Sequence, residues 1–263
     1  MLSRTADSLF WMARYMERAE NAARLLDVGM RMALTPMDDD VRSVEWRSAL
    51  IAAGCEEGFF QKHARATAET ALHYIACEPG NPSSIIACLD TARRNARGVR
   101  AAVTADVWEA VNDTWHEARR LAPQDFSVDR VRPFLDWVKS RSQLFGGAVA
   151  NTMLRTDAYW FDQLGACLER ADNTARILDV KYHVLLPDYA QVGGGLDHLQ
   201  WTAILRAVSA RRAYHYVYRS RVQPWLVAEL LILRPEMPRS LMSCLNRTTG
   251  YLDALGRAYG DRG

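Results

Sequence analysis

The sequence predicts an all-α protein, a helical bundle of about ten helices in one domain. Apolar residues recur every three or four positions through most of the 263 residues, as on the inward face of a helix. Proline and glycine clusters divide this pattern into segments of helical length. No stretch of useful length alternates apolar and polar residues as a half-buried strand does. The predicted helices cover residues 4–34, 42–59, 61–77, 84–101, 105–121, 128–149, 153–184, 196–220, 224–233 and 240–258.

Breaker residues mark the helix boundaries in chain order. The first helix ends before Thr35-Pro36, and Pro79-Gly80-Asn81-Pro82 separates the third helix from the fourth. Later boundaries fall at Pro123, Gly146-Gly147, Pro187, Gly193-Gly194-Gly195, and Pro235 with Pro238. The Gly146-Gly147 pair is the predicted seam between two halves of the domain, 1–146 and 147–263.

One thirteen-residue segment occurs twice. Met16 to Val28 (MERAENAARLLDV) recurs as Leu168 to Val180 (LERADNTARILDV), with nine identical positions and three conservative exchanges. The copies lie 152 residues apart. This spacing predicts two related halves that pair across a pseudo-twofold axis, each contributing one motif helix to the middle of the domain.

Each copy is amphipathic when it is drawn at about 100° per residue. The apolar stripes, which we expect to pack in the core, consist of Met16, Ala19, Ala23 and Leu26 in one copy and Leu168, Ala171, Ala175 and Leu178 in the other. The polar arcs on the opposite sides consist of Glu17, Glu20, Asn21, Arg24 and Asp27, and of Glu169, Asp172, Asn173, Arg176 and Asp179. Glu20 precedes Arg24 by four residues, the favoured order for an ion pair within one helix.

Such a helix is common on a solvated face, where an ion pair of this kind contributes little stability. The duplication favours a more specific use, because a solvated face tolerates Lys for Arg and Gln for Glu. Two uses require side-chain identity: a buried ion network that fixes how the halves pack, or a site that binds a ligand through guanidinium and carboxylate groups. Arg18 and Arg170, beside the motif glutamates, belong to both hypotheses.

The motif segments resemble a known family. LSRTADSLFWMARYMERAENAARLLD and LERADNTARILDVKY are similar to the bacterial alpha-E proteins, a helical family named for a recurring Glu-Arg motif. NPSSI at 81–85, ARRNARGVR at 92–100 and MPRSL at 237–241 also resemble family segments, so the resemblance extends over almost the whole chain.

The resemblance implies partners. Alpha-E proteins are usually encoded beside, or fused to, a circularly permuted ATP-grasp protein, often with a gene for a transglutaminase-like protease nearby. It therefore implies a role in an amide-ligase or peptide-modifying system, and it leaves open whether the helical protein has catalytic activity of its own.

Composition limits the class of protein. The hydrophobic content of 49% and charged content of 24% are typical of a globular domain. The net charge of +2 argues against nucleic acid as a partner. No apolar run approaches the roughly 20 residues of a membrane span, and the first twenty residues lack the apolar core of a signal peptide, so we expect a cytoplasmic protein without membrane contact. Five scattered cysteines suit reduced core thiols.

Other chemistry has weaker support. A di-iron carboxylate site needs two Glu-x-x-His units, and the sequence contains none, so neither a metal nor another cofactor is expected. Cys167 is expected to be a core thiol. Arg93, Arg97 and Arg100 share one helix edge, and two interpretations stay open for them. Either they lie on a solvated edge or pair with acids of a neighbouring helix, or their guanidinium groups meet the acidic arcs or an anionic ligand inside the bundle.

We therefore carry two hypotheses. In the first, the protein is the helical partner or co-catalytic subunit of an ATP-grasp amide ligase, and the two motifs form a central site for a carboxylate or phosphate group. In the second, the motifs are a buried salt-bridge network that fixes the fold, and function lies in the surface. An open polar cavity beside the motif helices favours the first, and mutual pairing without such a cavity favours the second.

Overall fold

Helices make up all of the regular structure in the residues that the computed structural model describes, 1–33, 39–183 and 194–260. The predicted all-α class is confirmed. The helices are α1 Ser3–Ala33, α2 Asp39–Ala52, α3 Glu56–Phe60, α4 Ala68–Ala76, α5 Ile85–Gly98, α6 Ala105–Leu121, α7 Val128–Thr152, α8 Asp157–His183, α9 Gly195–Ala207, α10 Arg211–Tyr218, α11 Pro224–Ile232 and α12 Leu241–Tyr259, with a short 3-10 helix at Arg100–Ala102. Within the described ranges, no helix combines the length and the apolar character needed to cross a membrane.

Two predicted helices are each broken by one residue in the left-handed region. Gly54 (φ +66°) separates α2 from α3 within the predicted helix 42–59, and Ser209 (φ +57°) separates α9 from α10 within 196–220. A right-handed helix ends at a residue of that conformation. The predicted helix 61–77 is also shorter than expected, because regular structure begins there only at α4.

The helices α1–α5 and α8–α12 follow one common plan. In both series the second helix ends in the left-handed residue just described, Gly54 or Ser209, whose amide donates to the carbonyl oxygen three residues earlier. In both series a serine after a Pro-x pair, Ser84 or Ser240, caps the fifth helix through its side chain. Equivalent residues lie 152 apart in the motifs, 155 apart at the left-handed turns and 156 apart at the serine caps. The helices α6 and α7 connect the two copies.

This arrangement corrects the predicted seam. Gly146 and Gly147 lie inside α7, which continues to Thr152, and the second copy begins with α8. A β-carbon at either glycine would meet no other atom within 4 Å, so neither glycine is required there by a close contact. The related halves are α1–α5 and α8–α12 rather than 1–146 and 147–263.

The two motif helices, α1 and α8, lie side by side at the centre. Phe10 of α1 lies against Gly165 of α8, and four residues later in both helices Arg14 contacts Glu169. Residue numbers at the contacts thus increase in both helices together, so the two helices are parallel. The helix α1 is also packed against α5, α7 and α9, whereas α12 covers another side of α8. The motif glutamates are thereby placed at the interface between the copies.

Only one of the two predicted apolar stripes lies in the core. Met16, Ala19, Ala23 and Leu26 of α1 are all buried, as expected. In α8 the prediction is wrong for Leu168, which is 37% exposed, and for Ala175, which is also exposed, although Leu178 is buried. The reason is the environment of each helix: α1 is enclosed on several sides, whereas α8 turns its polar arc towards α1 and leaves part of its apolar stripe at the surface.

Candidate functional site

The Glu-Arg pairs of the two motifs bind each other across the α1/α8 interface. Arg170 donates two hydrogen bonds to Glu17, from Nε at 3.1 Å and from a terminal nitrogen at 2.7 Å. Arg18 does the same to Glu169, at 2.6 and 3.0 Å. Each glutamate thus accepts a bidentate hydrogen bond from the arginine of the other copy, which is the strongest geometry for an arginine-carboxylate pair. The interaction is reciprocal, as the predicted pseudo-twofold relation requires.

A further arginine completes each pair, and it comes from a different place in each copy. Arg239, in the loop before α12, donates to Glu17 at 2.7 Å, to Glu20 at 2.9 Å and to Asn21 at 3.0 Å. On the other side, Arg14 of α1 donates to the second carboxylate oxygen of Glu169 at 2.7 Å. The network is therefore symmetric in its Glu-Arg pairs, and it is asymmetric in the position of the second guanidinium that binds each glutamate.

Burial makes this network electrostatically strong. Glu17 and Glu169 are both almost fully buried. Burial alone would raise the pKa of Glu17, but the charges and hydrogen bonds of Arg239 and Arg170 outweigh it and lower that pKa to about 2. Glu17 in turn raises the pKa of Arg170 despite the burial of that guanidinium. Removing one partner of such a pair would leave a charge buried without compensation.

Each motif helix also carries an ion pair between residues four apart, and the arginine of that pair contacts the left-handed turn of the other copy. Arg24 donates from Nε to Glu20 at 2.7 Å and from a terminal nitrogen to the Ser209 hydroxyl at 2.6 Å. Arg176 donates to Asp172 at 2.9 Å, and its guanidinium lies beside Gly54. The polar arcs thus contact both the opposite motif and the turns after α2 and α9.

A polar cavity of about 400 Å³ opens beside the Glu17 side of this network. We call it the arginine cavity, and its charged lining residues are Glu17, Glu20, Arg24, Asp162, Arg170, Arg239 and Arg247. Arg247 donates to the side-chain oxygen of Gln163 at 2.6 Å and to the Tyr251 hydroxyl at 3.3 Å. Asp162 is 1% exposed, and its Oδ1 has no hydrogen-bond partner in the described part of the chain. Burial raises the pKa of Asp162 to about 7.

A second cavity, of about 220 Å³, lies on the Glu169 side. Its polar lining residues are Arg18, Ser83, Glu169, Asp172, Asn173 and Arg176, and we call it the serine cavity. Most of these are the motif equivalents of residues that line the arginine cavity. The network thus has a polar cavity beside each of its glutamates, and mutual pairing and open cavities occur together.

The structure brings most of the predicted site residues together. Arg18, Arg170 and the polar-arc residues from Glu17 to Arg24 and from Glu169 to Arg176 form the network and line the cavities. Asp27 instead lies near Arg31, at 3.3 Å, and Lys139, at 3.6 Å, and Asp179 is exposed. Neither is among the residues that line the two cavities.

Three predicted arginines lie away from the network. Arg93 donates to Asn112 at 2.9 Å and covers the ring of Trp115, whereas Arg97 and Arg100 are exposed. Arg97 and Arg100 thus lie on a solvated edge, whereas Arg93 is half-buried against α6. Cys167, in contrast, is a buried free thiol, as predicted.

Sequence reasoning missed four residues of the site. Arg14 lies four residues before Arg18, on the same face of α1, so the helical periodicity contained a signal for it. Arg239 stands in MPRSL, whose proline and serine match those of NPSSI, so aligning the two copies beyond the motif would have exposed the Arg/Ser difference. We find no sequence signal for Asp162 or Arg247.

Comparisons with known proteins agree with these observations. The model of the Alpha-E family, described as a predicted alpha-helical domain with a conserved ER motif, matches residues 1–263. An uncharacterised protein of Mycobacterium bovis is 25% identical over 272 residues, and the match covers 96% of this chain and 30% of that protein. An uncharacterised protein of Mycobacterium tuberculosis H37Rv has the same identity and coverage. The chain thus spans about 30% of the length of these curated relatives. No solved structure matches.

Proposed function

The chain belongs to the Alpha-E family, and on this basis we propose that it is the helical partner or co-catalytic subunit of an ATP-grasp amide ligase that acts on peptides or amino acids. In this proposal the arginine cavity binds a carboxylate or phosphate group of the ligand. The Glu-Arg pairs at the α1/α8 interface hold the two copies together and shape the cavity wall.

One observation carries the proposal: Arg247 faces the arginine cavity without a carboxylate partner among the described residues. Its hydrogen bonds go to the neutral side chains of Gln163 and Tyr251. The other arginines of the wall, in contrast, are each paired with a glutamate. Because no carboxylate neutralises this guanidinium, its positive charge is available to bind an anion. Its planar arrangement of N–H donors matches the oxygens of a carboxylate or phosphate.

Asp162 supports a co-catalytic role. Its carboxyl group shares the cavity with Arg247 and accepts one hydrogen bond, from Gln163 at 3.1 Å. Because burial raises its pKa to about 7, both protonation states are populated near neutral pH. A carboxyl group with that property can give a proton to a bound oxyanion or take one from an incoming amine. Acyl phosphate chemistry with an amine requires such a transfer.

The structural hypothesis is favoured for the motif pairs themselves. Glu17 and Glu169 are buried, each accepts hydrogen bonds from at least two guanidinium groups, and their pairing is reciprocal. Each carboxylate is therefore charge-compensated within the protein. We therefore assign the fold-fixing role to the Glu-Arg pairs and the binding role to the cavity beside them.

The partners follow from the family resemblance. The relatives are longer proteins in which the matched region is one part, which supports a domain that works beside another. A circularly permuted ATP-grasp protein is the proposed principal partner, and a transglutaminase-like protein of the same gene cluster is a second. Because the ligase consumes ATP, a cytoplasmic location is part of the proposal.

The binding step is tested by titrating the protein with inorganic phosphate and with acetate in a calorimeter. We expect Arg247→Gln to weaken binding at least tenfold, because it removes the guanidinium that lacks a carboxylate. The matched control is Arg257→Gln, at an exposed position of the same helix. Equal affinity in the wild type and in Arg247→Gln, or no binding by the wild type, would contradict the proposed site.

The partner step is tested separately, by co-purification with a circularly permuted ATP-grasp protein of the same organism and by assay of ATP turnover in the complex. Arg247→Gln should keep the complex and abolish the turnover that depends on this protein. Failure of the wild-type proteins to associate would refute the partner proposal. Glu17→Gln and Glu169→Gln are unsuitable for this test, because either change would leave partly buried guanidiniums without their carboxylate and affect folding.

A further inference from the structure

The arginine at 239 and the serine at 83 occupy equivalent places in the two copies. Each follows a proline, Pro82 or Pro238, and each precedes the serine that caps the fifth helix. The equivalence extends one turn into that helix, where Cys88 and Cys244 both direct their thiols at the carbonyl oxygen of the preceding proline. The loops therefore correspond residue by residue. At the same position, one loop carries the long cationic side chain of Arg239 and the other the short hydroxyl side chain of Ser83.

Three acceptors hold the Arg239 guanidinium: a carboxylate oxygen of Glu17, a carboxylate oxygen of Glu20, and the side-chain oxygen of Asn21. Their equivalents in the second copy are Glu169, Asp172 and Asn173. All three of these, with Ser83, line the serine cavity.

The equivalent acceptors retain capacity for one more donor. Oε1 of Glu169 is the counterpart of the oxygen that binds Arg239. Among the described residues it accepts from Arg18 alone, because Arg14 binds the other oxygen. Asn173 is 9% exposed, and its amide nitrogen donates to the backbone of Glu169, while its Oδ1 accepts from no group in the described residues. Within the described part of the chain, Asp172 accepts from Arg176 alone. These acceptors line the cavity, so a ligand that supplies donors can bind to them directly.

From this internal comparison we propose that the serine cavity binds a guanidinium group of a ligand, in the place that Arg239 takes in the first copy. The group can come from a free amino acid or from an arginine side chain of a protein partner. The cavity of about 220 Å³ has room for a guanidinium with part of its alkyl chain. The inference is independent of anion binding in the arginine cavity, which lies on the Glu17 side and uses other residues.

The first experiment follows the side-chain amide signal of Asn173 by NMR while L-arginine, an acetyl-Gly-Arg-Gly amide peptide or L-citrulline is added. We expect both arginine probes to shift the signal and uncharged citrulline to leave it unchanged. A response to the peptide alone assigns the site to protein partners, and a response to both probes includes the free amino acid. No shift with either arginine probe overturns the proposal.

Two substitutions make the test specific. Ser83→Arg builds the first copy's arginine into the second, so it should occupy the cavity and abolish probe binding. Asp172→Asn should weaken binding at least tenfold, with Asp253→Asn, an exposed acid of α12, as the matched control. If Ser83→Arg does not fold, Asp172→Asn decides. Probe binding that folded Ser83→Arg or Asp172→Asn leaves unchanged contradicts the site.

Discussion

Gly165 of α8 lies directly against the backbone of α1, so that a β-carbon on this glycine would overlap the carbonyl oxygen of Phe10. The equivalent position in α1 is Ala13, which is also small and buried. This close approach of the two helix backbones lies one turn before the Glu-Arg pairs. It sets the distance across which Arg18 and Arg170 reach their glutamates.

Gly165→Ala should therefore be strongly destabilising. The clash is with backbone atoms, which cannot rotate away, so the helices must separate, at a cost of about 3 kcal/mol or more in the free energy of unfolding. Urea unfolding measures this cost. Gly147→Ala is the control: its β-carbon meets nothing, and helix propensity predicts a gain of about 0.5–1 kcal/mol. Equal effects at the two positions would contradict the close packing of α1 on α8.

The two acids of the second motif should differ sharply in their contribution to stability. Glu169→Gln leaves Arg14 and Arg18 without their buried carboxylate and should cost about 3–5 kcal/mol. Asp172→Asn breaks a pair in which both side chains are more than a third exposed, and should cost less than about 1 kcal/mol. Chemical denaturation of both variants at neutral pH distinguishes these values. Similar losses from the two changes would show that burial does not govern the network.

Glu17 should make the protein sensitive to acid. Its pKa falls from 4.5 to about 2 on folding, so the folded state binds the proton less readily than the unfolded state. The stabilisation is complete above pH 4.5 and is lost as the pH falls towards 2, by on the order of 3 kcal/mol. Unfolding measurements between pH 5 and pH 2 should show a smaller slope in Glu17→Gln than in the wild type. Parallel curves would mean that Glu17 is not charged in the network.

Asp162 should have the opposite effect on the pH dependence. Its pKa rises from 3.8 to about 7 on folding, so the folded state holds the proton more tightly, and stability falls as the pH rises from about 4 to about 7. The expected slope is about 1.4 kcal/mol per pH unit. Asp162→Asn should remove this slope and be more stable than the wild type at pH 8, whereas Asp253→Asn should keep the wild-type dependence. If Asp162→Asn also retains the slope, the buried carboxyl is not its source.

The helices, and the pairing of the two motif helices at the centre, can be predicted from short segments of the sequence. Helical periodicity and breaker residues locate the elements, and the repeated Glu-Arg motif predicts that two polar arcs meet. A helical wheel separates two faces of α8, but it does not say which one faces the core, because that depends on how many helices enclose it. The apolar stripe containing Leu168 and Ala175 was misplaced for this reason.

The cavity residues depend on tertiary structure. Arg239 reaches Glu17 across 222 residues of sequence, and Arg247 meets Gln163 across 84. In the sequence, Asp162 does not differ from the other acidic residues. It is distinguished only by its burial, which leaves its Oδ1 without a hydrogen-bond partner among the described residues. Ser209 adopts a left-handed conformation without being glycine, while its hydroxyl binds Arg24. The internal repeat marks position 239, but no local pattern indicates which residues these side chains contact.

The reciprocal Glu-Arg pairs have a consequence for the history of the chain. A symmetric dimer places the same residue on both sides of its axis, so a substitution that alters one side alters the other. Duplication and fusion of a five-helix gene removes that constraint while the pairs at the axis keep the two copies together. A single chain can therefore carry arginine at 239 and serine at 83, so its two cavities can differ in the groups that they bind.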